Sequence, residues 1–324
     1  MWRKLEVATV TDLGNDVYQI DTEQSGYVGI TAGYLIRGSK PTLIETGTSS
    51  SAQVVIDSLA TLGIGPSDLA NIVVTHIHLD HAGGSGHLTK YFPKATLMAH
   101  QRGAKHLVDP SKLMASARRV FGPAIDTLMG ELLPTDASRV IAIDDVAEID
   151  LGDGRTLKSY YAPGHASHHV GLLDSQTGDL YVGDAAGVYV PETDTVRPAT
   201  PPPDFNLEIA LNTIQLFEEL EPKRLLFSHY GPNMEIENTL QRSREELHLW
   251  VELVRQARSV EMDLDHAVSM IAEKTRERYQ KLFDNPEAVK RFEALNSTAA
   301  NIVGINRWLD KSDGFTYSFG DAAT

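Results

Sequence analysis

Residues 71–84 read Asn-Ile-Val-Val-Thr-His-Ile-His-Leu-Asp-His-Ala-Gly-Gly. The β-rich run over 71–75 predicts a strand that is buried on both faces. Four side chains of the metal-ligand type follow that run directly: His76, His78, Asp80 and His81. Residues two apart in an extended segment project to the same side, so His76 and His78 can hold one ion between them. Without an ion these side chains would be desolvated polar groups with too few partners, and the stretch therefore predicts a metal site.

Three more residues of this type stand after later β-rich runs. They are His165 after residues 157–162, Asp184 after 180–182, and His229 after 224–227. Ligands of α/β proteins bind at the carboxyl ends of strands. A single His or Asp in such a position would be ordinary, but the repetition indicates one site assembled from several strands.

In this order the seven residues resemble the full ligand series of the metallo-β-lactamase-fold hydrolases, most of all the glyoxalase II and acyl-homoserine-lactone lactonase branch. The resemblance covers about residues 15–235. It implies an α/β fold of the αββα sandwich type, with two metal ions in a groove at one edge of the sheets. It also implies the ligand sets: His76, His78 and His165 for one metal, Asp80, His81 and His229 for the other, and Asp184 bridging them.

Four further positions depart from the family pattern or sit beside it. Glu45 occupies a strand-end position where the family usually has Asp, and it is predicted to support a ligand. His169 aligns with the last His of a family motif and is also predicted to support a ligand. His168 replaces a Gly of that motif, and it either faces the substrate or packs. Tyr189 is a candidate for substrate binding, because the lactonases carry a Tyr shortly after the bridging Asp.

Composition excludes several classes of function. The 324 residues include 44 Asp and Glu, 29 Lys and Arg, and no Cys, which gives a formal charge of −15. The absence of Cys excludes disulfide scaffolds, thiolate-bound metals and thiol nucleophiles. Nearly all of the negative charge lies before residue 240, which argues against a nucleic-acid partner. We expect a small-molecule substrate, no nucleic acid and no membrane; a homo-oligomer is compatible with the sequence. Without a signal-peptide pattern the expected location is cytoplasmic.

The chain divides into a predicted catalytic domain over 1–238 and an α-helical extension over 239–324 that packs on the core. Helices are predicted in the extension over 239–258, 263–283 and 286–309. A helical insertion is predicted over about 110–135, with one helix over 112–120 and a second over 124–133, joined at Gly122-Pro123. The proline-rich residues 191–204 are predicted to lack regular structure, either as a functional loop or as a surface crossover. Whether the insertion and the extension line the active site is left open.

The ligand set predicts the chemistry in outline. Imidazole and carboxylate ligands suit two divalent ions, zinc first, with iron, manganese or cobalt as alternatives. The expected reaction is attack by a metal-bound hydroxide on a carboxyl-ester-type bond (lactone, ester or thioester), with Asp80 holding a metal and handling a proton. Two alternatives stay open: a phosphodiesterase that acts on a small phosphate ester, and a mono-iron sulfur dioxygenase.

Overall fold

The computed structural model describes residues 10–122, 125–314 and 316–319. Residues 1–9, which begin the stretch without a signal-peptide pattern, lie outside the described residues, as do Pro123 and Ala124 at the predicted join within the insertion. Of the helices in the described ranges, none combines the length and the apolar character that a membrane crossing requires.

Seven strands form the first sheet: β1 (Val10–Asp12), β2 (Val17–Asp21), β3 (Ala32–Ile36), β4 (Thr42–Ile44), β5 (Asn71–Val73), β6 (Thr96–His100) and β7 (Val140–Ile143). They lie side by side in chain order. The pairs from β1 to β4 are antiparallel, and those from β4 to β7 are parallel. The carboxyl ends of β4 and β5 therefore meet at one edge, where Glu45 and the motif that begins at His76 leave the sheet.

Helices cover the outer face of this sheet: α1 (Ala52–Thr61), α2 (Leu79–Ala82), α3 (Ser85–Tyr91), α4 (Gln101–Val108), α5 (Ser111–Phe121) and α6 (Ile125–Leu128). The last two belong to the predicted insertion. Its second helix was predicted over 124–133, but only α6 is helical there. Gly130 has a φ of +74°, which an α-helix cannot contain, so the chain leaves the helix before it.

Six strands form the second sheet, and two more form a separate hairpin. The sheet contains β8 (Val146–Gly152), β9 (Arg155–Tyr161), β10 (Val170–Asp174), β11 (Asp179–Gly183), β14 (Arg224–Phe227) and β15 (Gly231–Asn233). The hairpin contains β12 (Val188–Val190) and β13 (Thr195–Arg197). The prediction that 191–204 lacks regular structure is therefore wrong in part: the stretch 195–197 is free of proline and can pair with a neighbouring strand.

Five helices follow the last strand of the second sheet: α8 (Ile236–Ser259), α9 (Leu264–Lys274), α10 (Gln280–Phe283), α11 (Pro286–Leu295) and α12 (Thr298–Asp313). Together with α7 (Leu207–Glu219) they lie over the outer face of this sheet. Trp250 and Trp308 share one apolar cluster with Leu180 and Phe227 of the sheet. The predicted boundary at residue 238 falls inside α8, and the division into two domains stays a prediction.

Apolar side chains fill three layers. One cluster, which includes Tyr34, Val73, Val170 and Leu226, lies between the sheets. The other two clusters lie between each sheet and its own helices. This arrangement of helix, sheet, sheet and helix confirms the predicted αββα sandwich with a helical C-terminal extension. The sheets' common edge, where β5, β11 and β14 end, holds the side chains described next.

Candidate metal centre

The turn after β5 brings the first four ligand-type residues together. The chain is extended through His78, with φ −60° and ψ 153°, and α2 begins directly after it. Gly83 and Gly84 then pack against residues 46–49. A Cβ on Gly83 would lie 2.9 Å from the backbone nitrogen of Ser49, and one on Gly84 would lie 2.7 Å from the carbonyl oxygen of Thr46. The turn can be this tight because both residues lack a side chain.

Three imidazoles meet in the first group of ligand atoms. His76 Nε2 lies 3.0 Å from His78 Nδ1, and His165 Nε2 lies 3.0 Å from that same atom. All three nitrogens lie within 4.8 Å of one another. Three ring nitrogens so close together repel one another unless a proton or a cation lies among them, so this group is suited to a metal ion.

The second group lies beside the first. His81 Nε2 lies 3.1 Å from His229 Nε2, and Asp80 Oδ2 lies 3.3 Å from His229 Nε2. These ligand atoms also lie within 4.8 Å of one another. Two imidazoles and one carboxylate form a second set that is suited to a divalent cation.

Asp184 directs one carboxylate oxygen toward each group. Its Oδ1 lies 3.3 Å from His81 Nε2 and 3.6 Å from His229 Nε2, and its Oδ2 lies 3.5 Å from His165 Nε2. Oδ1 is buried and has no hydrogen-bond partner among the described residues. An ionised oxygen in such a position is costly without a cation. The buried oxygen and the crowded nitrogens therefore fit a pair of divalent ions.

Backbone carbonyls orient two of the imidazoles. His165 Nδ1 lies 3.0 Å from the carbonyl oxygen of Ala199, and His229 Nδ1 lies 2.8 Å from that of Ile30. A carbonyl only accepts hydrogen bonds, so each Nδ1 is the donor and each Nε2 is the ring atom that faces the centre.

Burial and local charge divide the imidazoles into two electrostatic classes. Burial, reinforced by neighbouring imidazoles, holds the pKa of His76 well below its ordinary value and lowers that of His78 to about 3. Burial also lowers the pKa of His165. Burial acts the same way on His81 and His229, but the Asp184 carboxylate and its neighbours outweigh it and raise both pKa values. The low pKa values of the first group leave its imidazoles neutral and able to bind a cation, whereas the raised pKa values of the second group favour protonation, so a cation that binds there must displace protons.

The neighbouring imidazoles keep the carboxylates of Asp80 and Asp184 ionised. Burial raises the pKa of Asp80 and Asp184, but the nearby imidazoles, His81 above all, outweigh burial and bring both values below the ordinary range. Both residues therefore carry a negative charge at neutral pH, which favours cation binding.

Glu45 and His169 lie behind the ligand residues, where they were predicted. Glu45 Oε1 lies 3.5 Å from His81 Nδ1 and accepts hydrogen bonds from the hydroxyls of Thr75 (2.5 Å) and Ser228 (3.1 Å). His169 Nε2 accepts the backbone N–H of Asp184 at 3.2 Å. Glu45 and His169 are both fully buried. Their predicted supporting roles rest on these contacts and stay predictions.

The two candidates for substrate binding lie at different places around the centre. His168 is half-buried, its ring centroid is 5.7 Å from that of His78, and its Nδ1 accepts the backbone N–H of Ile77 at 3.4 Å. Tyr189 lies in the hairpin, and its backbone N–H donates to the His229 carbonyl oxygen at 2.6 Å. Its side chain neighbours Asp194 and Asn233 rather than the ligand atoms. Both substrate roles stay predictions.

A cavity lies beside His229 that no pattern in the sequence predicts. The β2–β3 loop, the hairpin and α11 line this shallow cavity. Its lining is mostly apolar, and the guanidinium of Arg291 there pairs with Glu192 at 2.8 Å. Residues from the far end of the chain, Arg291 and Phe292, thus reach the neighbourhood of the centre. Their amphipathic helix gave no signal that distinguishes this position from an ordinary packed face.

Comparison with known proteins agrees with this geometry. The family profile described as the metallo-beta-lactamase superfamily matches residues 26–229. The chain is 32% identical over 228 residues to the metallo-beta-lactamase fold-containing protein ST1585 of Sulfurisphaera tokodaii, which covers 68% of this chain and 82% of the relative. The crystal structure of ST1585 superposes with a TM-score of 0.60, at 28% identity, over 74% of this chain and 87% of that one.

Two other similarities extend this comparison. The structure of the metallo-beta-lactamase family protein TTHA1429 from Thermus thermophilus shares the fold over 93% of this chain and 95% of its own, with a TM-score of 0.65 and 18% identity. The N-acyl homoserine lactonase AiiB of Agrobacterium fabrum is 32% identical over 138 residues, which is 40% of this chain and 45% of the lactonase. The chain thus spans less than half of that lactonase.

Proposed function

The chain belongs to the metallo-beta-lactamase superfamily of metal-dependent hydrolases, and from that premise we propose that it hydrolyses a carboxyl-ester-type bond in a lactone, ester or thioester. The observation that carries the proposal is Asp184, whose two oxygens face two separate sets of ligand atoms. Its residue type and position match those of a bridging ligand between two ions.

We assign His76, His78 and His165 to one ion, and Asp80, His81 and His229 to the other. When bound, the ions supply Lewis acidity and a nucleophile at neutral pH. Zinc is the proposed metal, because imidazole and carboxylate ligands without thiolate suit it; iron, manganese and cobalt suit the same set. The second complete set supports two ions rather than the single iron of a dioxygenase.

The protein's own residues prepare the site for a cation and an electrophile. The neutral imidazoles of the first group present lone pairs, since burial keeps their pKa low. Asp80 is ionised and lies 17% exposed at the centre, whereas its neighbour His81 is fully buried. We therefore propose that Asp80 both binds an ion and accepts a proton from the reacting group.

The cavity beside His229 supports a small substrate with an apolar part. Most of its lining is apolar, including Ile30, Val188 and Phe292, and its one guanidinium is already paired. Among the described residues, this lining offers a long polyanion no unpaired Lys or Arg side chain. The similarity to the N-acyl homoserine lactonase AiiB supports a lactone as the first substrate to test.

Metal analysis and a substrate panel on one preparation test the proposal. We expect two divalent ions per chain, and turnover of a lactone, ester or thioester but not of phosphodiesters. One iron per chain with oxygen consumption would establish the dioxygenase instead. Two bound ions with no hydrolysis anywhere in the panel would overturn the carboxyl-ester proposal.

Asp80→Asn tests the proposed role of that residue. The amide keeps the shape but loses the negative charge, so we expect weaker binding of one ion and a lower kcat. Asp145→Asn is the matched control, because Asp145 is 64% exposed and bonds to His100, outside the two ligand sets. Unchanged metal content and turnover in Asp80→Asn would remove Asp80 from this role.

A further inference from the structure

The chain between β13 and α7, residues 198–206, passes directly beside His165; we call it the crossover segment. The carbonyl oxygen of Ala199 in this segment receives the hydrogen bond of His165 Nδ1 at 3.0 Å. His165 Nε2, on the opposite side of the ring, lies 3.0 Å from His78 Nδ1. The position of one carbonyl group therefore sets the direction in which His165 presents its lone pair.

Two asparagines fix the peptide groups on both sides of Ala199. Asn296 Nδ2 donates to the carbonyl oxygen of Pro198 at 2.8 Å. Asn301 Oδ1 accepts the backbone N–H of Thr200 at 2.7 Å and the hydroxyl of Thr200 at 2.8 Å. The carbonyl group of Ala199 belongs to the same planar peptide group as the N–H of Thr200, so the bond to Asn301 fixes its direction, while the bond from Asn296 fixes the preceding peptide group.

The side chains of the two asparagines are also hydrogen-bonded to each other. Asn301 Nδ2 donates to Asn296 Oδ1 at 2.5 Å and to the carbonyl oxygen of Ser297 at 3.3 Å. Asn301 is 1% exposed, so water cannot replace these bonds. A buried amide with all of its groups paired is rigid, and removing it leaves its partners unsatisfied.

The register of α12 against the crossover segment is fixed by two further contacts. A Cβ on Gly304 would lie 1.8 Å from the carbonyl oxygen of Thr200, so only glycine permits this approach. At the start of the segment the Arg197 guanidinium bonds to Glu293 and Thr298, each at 2.9 Å. The C-terminal extension therefore contacts the chain on both sides of Ala199.

We propose that Asn301, acting with Asn296, is a positioning residue for the metal centre. It belongs to neither ligand set; it holds the peptide group of the Ala199 carbonyl, which orients His165 toward its ion. This inference rests on the proposed two-ion site. It gives the C-terminal extension a part in completing a site whose ligands all lie in the first 229 residues.

Asn301→Ala in the full chain tests the proposal through metal affinity, measured by competition with a chelator for zinc. We expect about a tenfold loss of affinity for one ion, the lower end of what residues behind a ligand usually contribute, and little change for the other. The visible spectrum of the cobalt-substituted protein is expected to change for one ion only. A residue that merely stabilised the fold would leave that spectrum unchanged.

Ile305→Ala is the matched control. Ile305 lies in the same helix and is fully buried within the apolar cluster of the extension. Its truncation is expected to lower the unfolding temperature while both ions bind with wild-type affinity. Equal losses of zinc affinity in Ile305→Ala and Asn301→Ala would overturn the proposal, because general loosening of α12 would then suffice.

Thr200→Val examines the same link from the crossover segment, should Asn301→Ala fail to fold. It keeps the shape of the side chain and removes the hydroxyl bond to Asn301, and we expect about a threefold loss of affinity for one ion, on the scale of one neutral hydrogen bond. Wild-type affinity for both ions in this variant would refute the proposal. A wild-type protein that binds no metal would instead refute the proposed function, so the two failures are distinguishable.

Discussion

Gly183→Ala is expected to cost far more stability than its backbone conformation alone requires. Gly183 has a φ of +52°, and a Cβ there would lie 2.4 Å from His169 Nε2 and 2.7 Å from Thr75 Oγ1. His169 and Thr75 are both fully buried, so neither can move into solvent. The left-handed conformation costs about 1–2 kcal/mol for a residue with a Cβ. Overpacking adds about 1–3 kcal/mol, which gives an expected total of about 2–5 kcal/mol.

The loss is expected to reach the metal centre as well. His169 Nε2 receives the N–H of Asp184, so displacing the ring moves the backbone that carries the proposed bridging carboxylate. Gly154→Ala is the matched control: Gly154 has a φ of +79°, and a Cβ there would meet no described atom within 4 Å. It should lose only the conformational cost, about 1–2 kcal/mol, and keep its metal.

Denaturant unfolding of both zinc-loaded variants, together with metal quantification after gel filtration, separates the two contributions. We expect Gly183→Ala to unfold at clearly lower denaturant concentration than Gly154→Ala and to retain fewer than two ions. Equal stability and equal metal content in the two variants would refute the argument that crowding at His169 controls the position of Asp184.

Three other results are expected. Loading the metal-free protein with zinc at pH 6 should release about two protons, because the raised pKa values of His81 and His229 keep both imidazoles protonated until an ion displaces the protons. Metal affinity should therefore rise with pH. Calorimetry in buffers of different ionisation enthalpy measures the number of protons released, and a value of zero would contradict this prediction. Trp250→Ala should lower the free energy of unfolding by about 3–5 kcal/mol, because the indole is fully buried and donates to Tyr279; Val303→Ala, at a 39% exposed position, should change it little. Removing metal with a chelator should lower the unfolding temperature, because the crowded imidazoles and the buried Asp184 oxygen then lose the cation that balances them. Adding zinc back should restore the original unfolding temperature. An unchanged unfolding temperature after metal removal would exclude a stabilising metal.

The proximity of the ligand-type side chains could be predicted because these residues stand at recognisable positions in the sequence. His76 and His78 follow a β-rich strand, and His165, Asp184 and His229 follow three others. The structure places the side chains of these five residues in overlapping groups that share His76 and His81. Strand ends of an α/β sheet converge on one edge, so sequence order and strand order together determined where the site forms.

The helical extension was predicted in type but not in detail, because local capping overrides helical periodicity. A single helix was expected over 286–309, yet the chain breaks between α11 and α12 at Asn296. Ser297 accepts the backbone N–H of Ala300 and begins a new helix there. The break also frees Asn296 to reach the crossover segment. A periodic apolar pattern continues across such a break and therefore does not reveal it.

The orientation of the imidazoles could not be predicted, because the groups that set it belong to the backbone. The carbonyls of Ile30 and Ala199 would accept the same hydrogen bonds from almost any residue type, so the sequence carries no signal at those positions. What the sequence does encode is the side chain that anchors the carbonyl, and for Ala199 that is Asn301, more than a hundred residues away. An asparagine in a helix is ordinarily a weak helix former without further meaning. Here its burial between two peptide groups gives it a role, and only the folded chain brings those groups together.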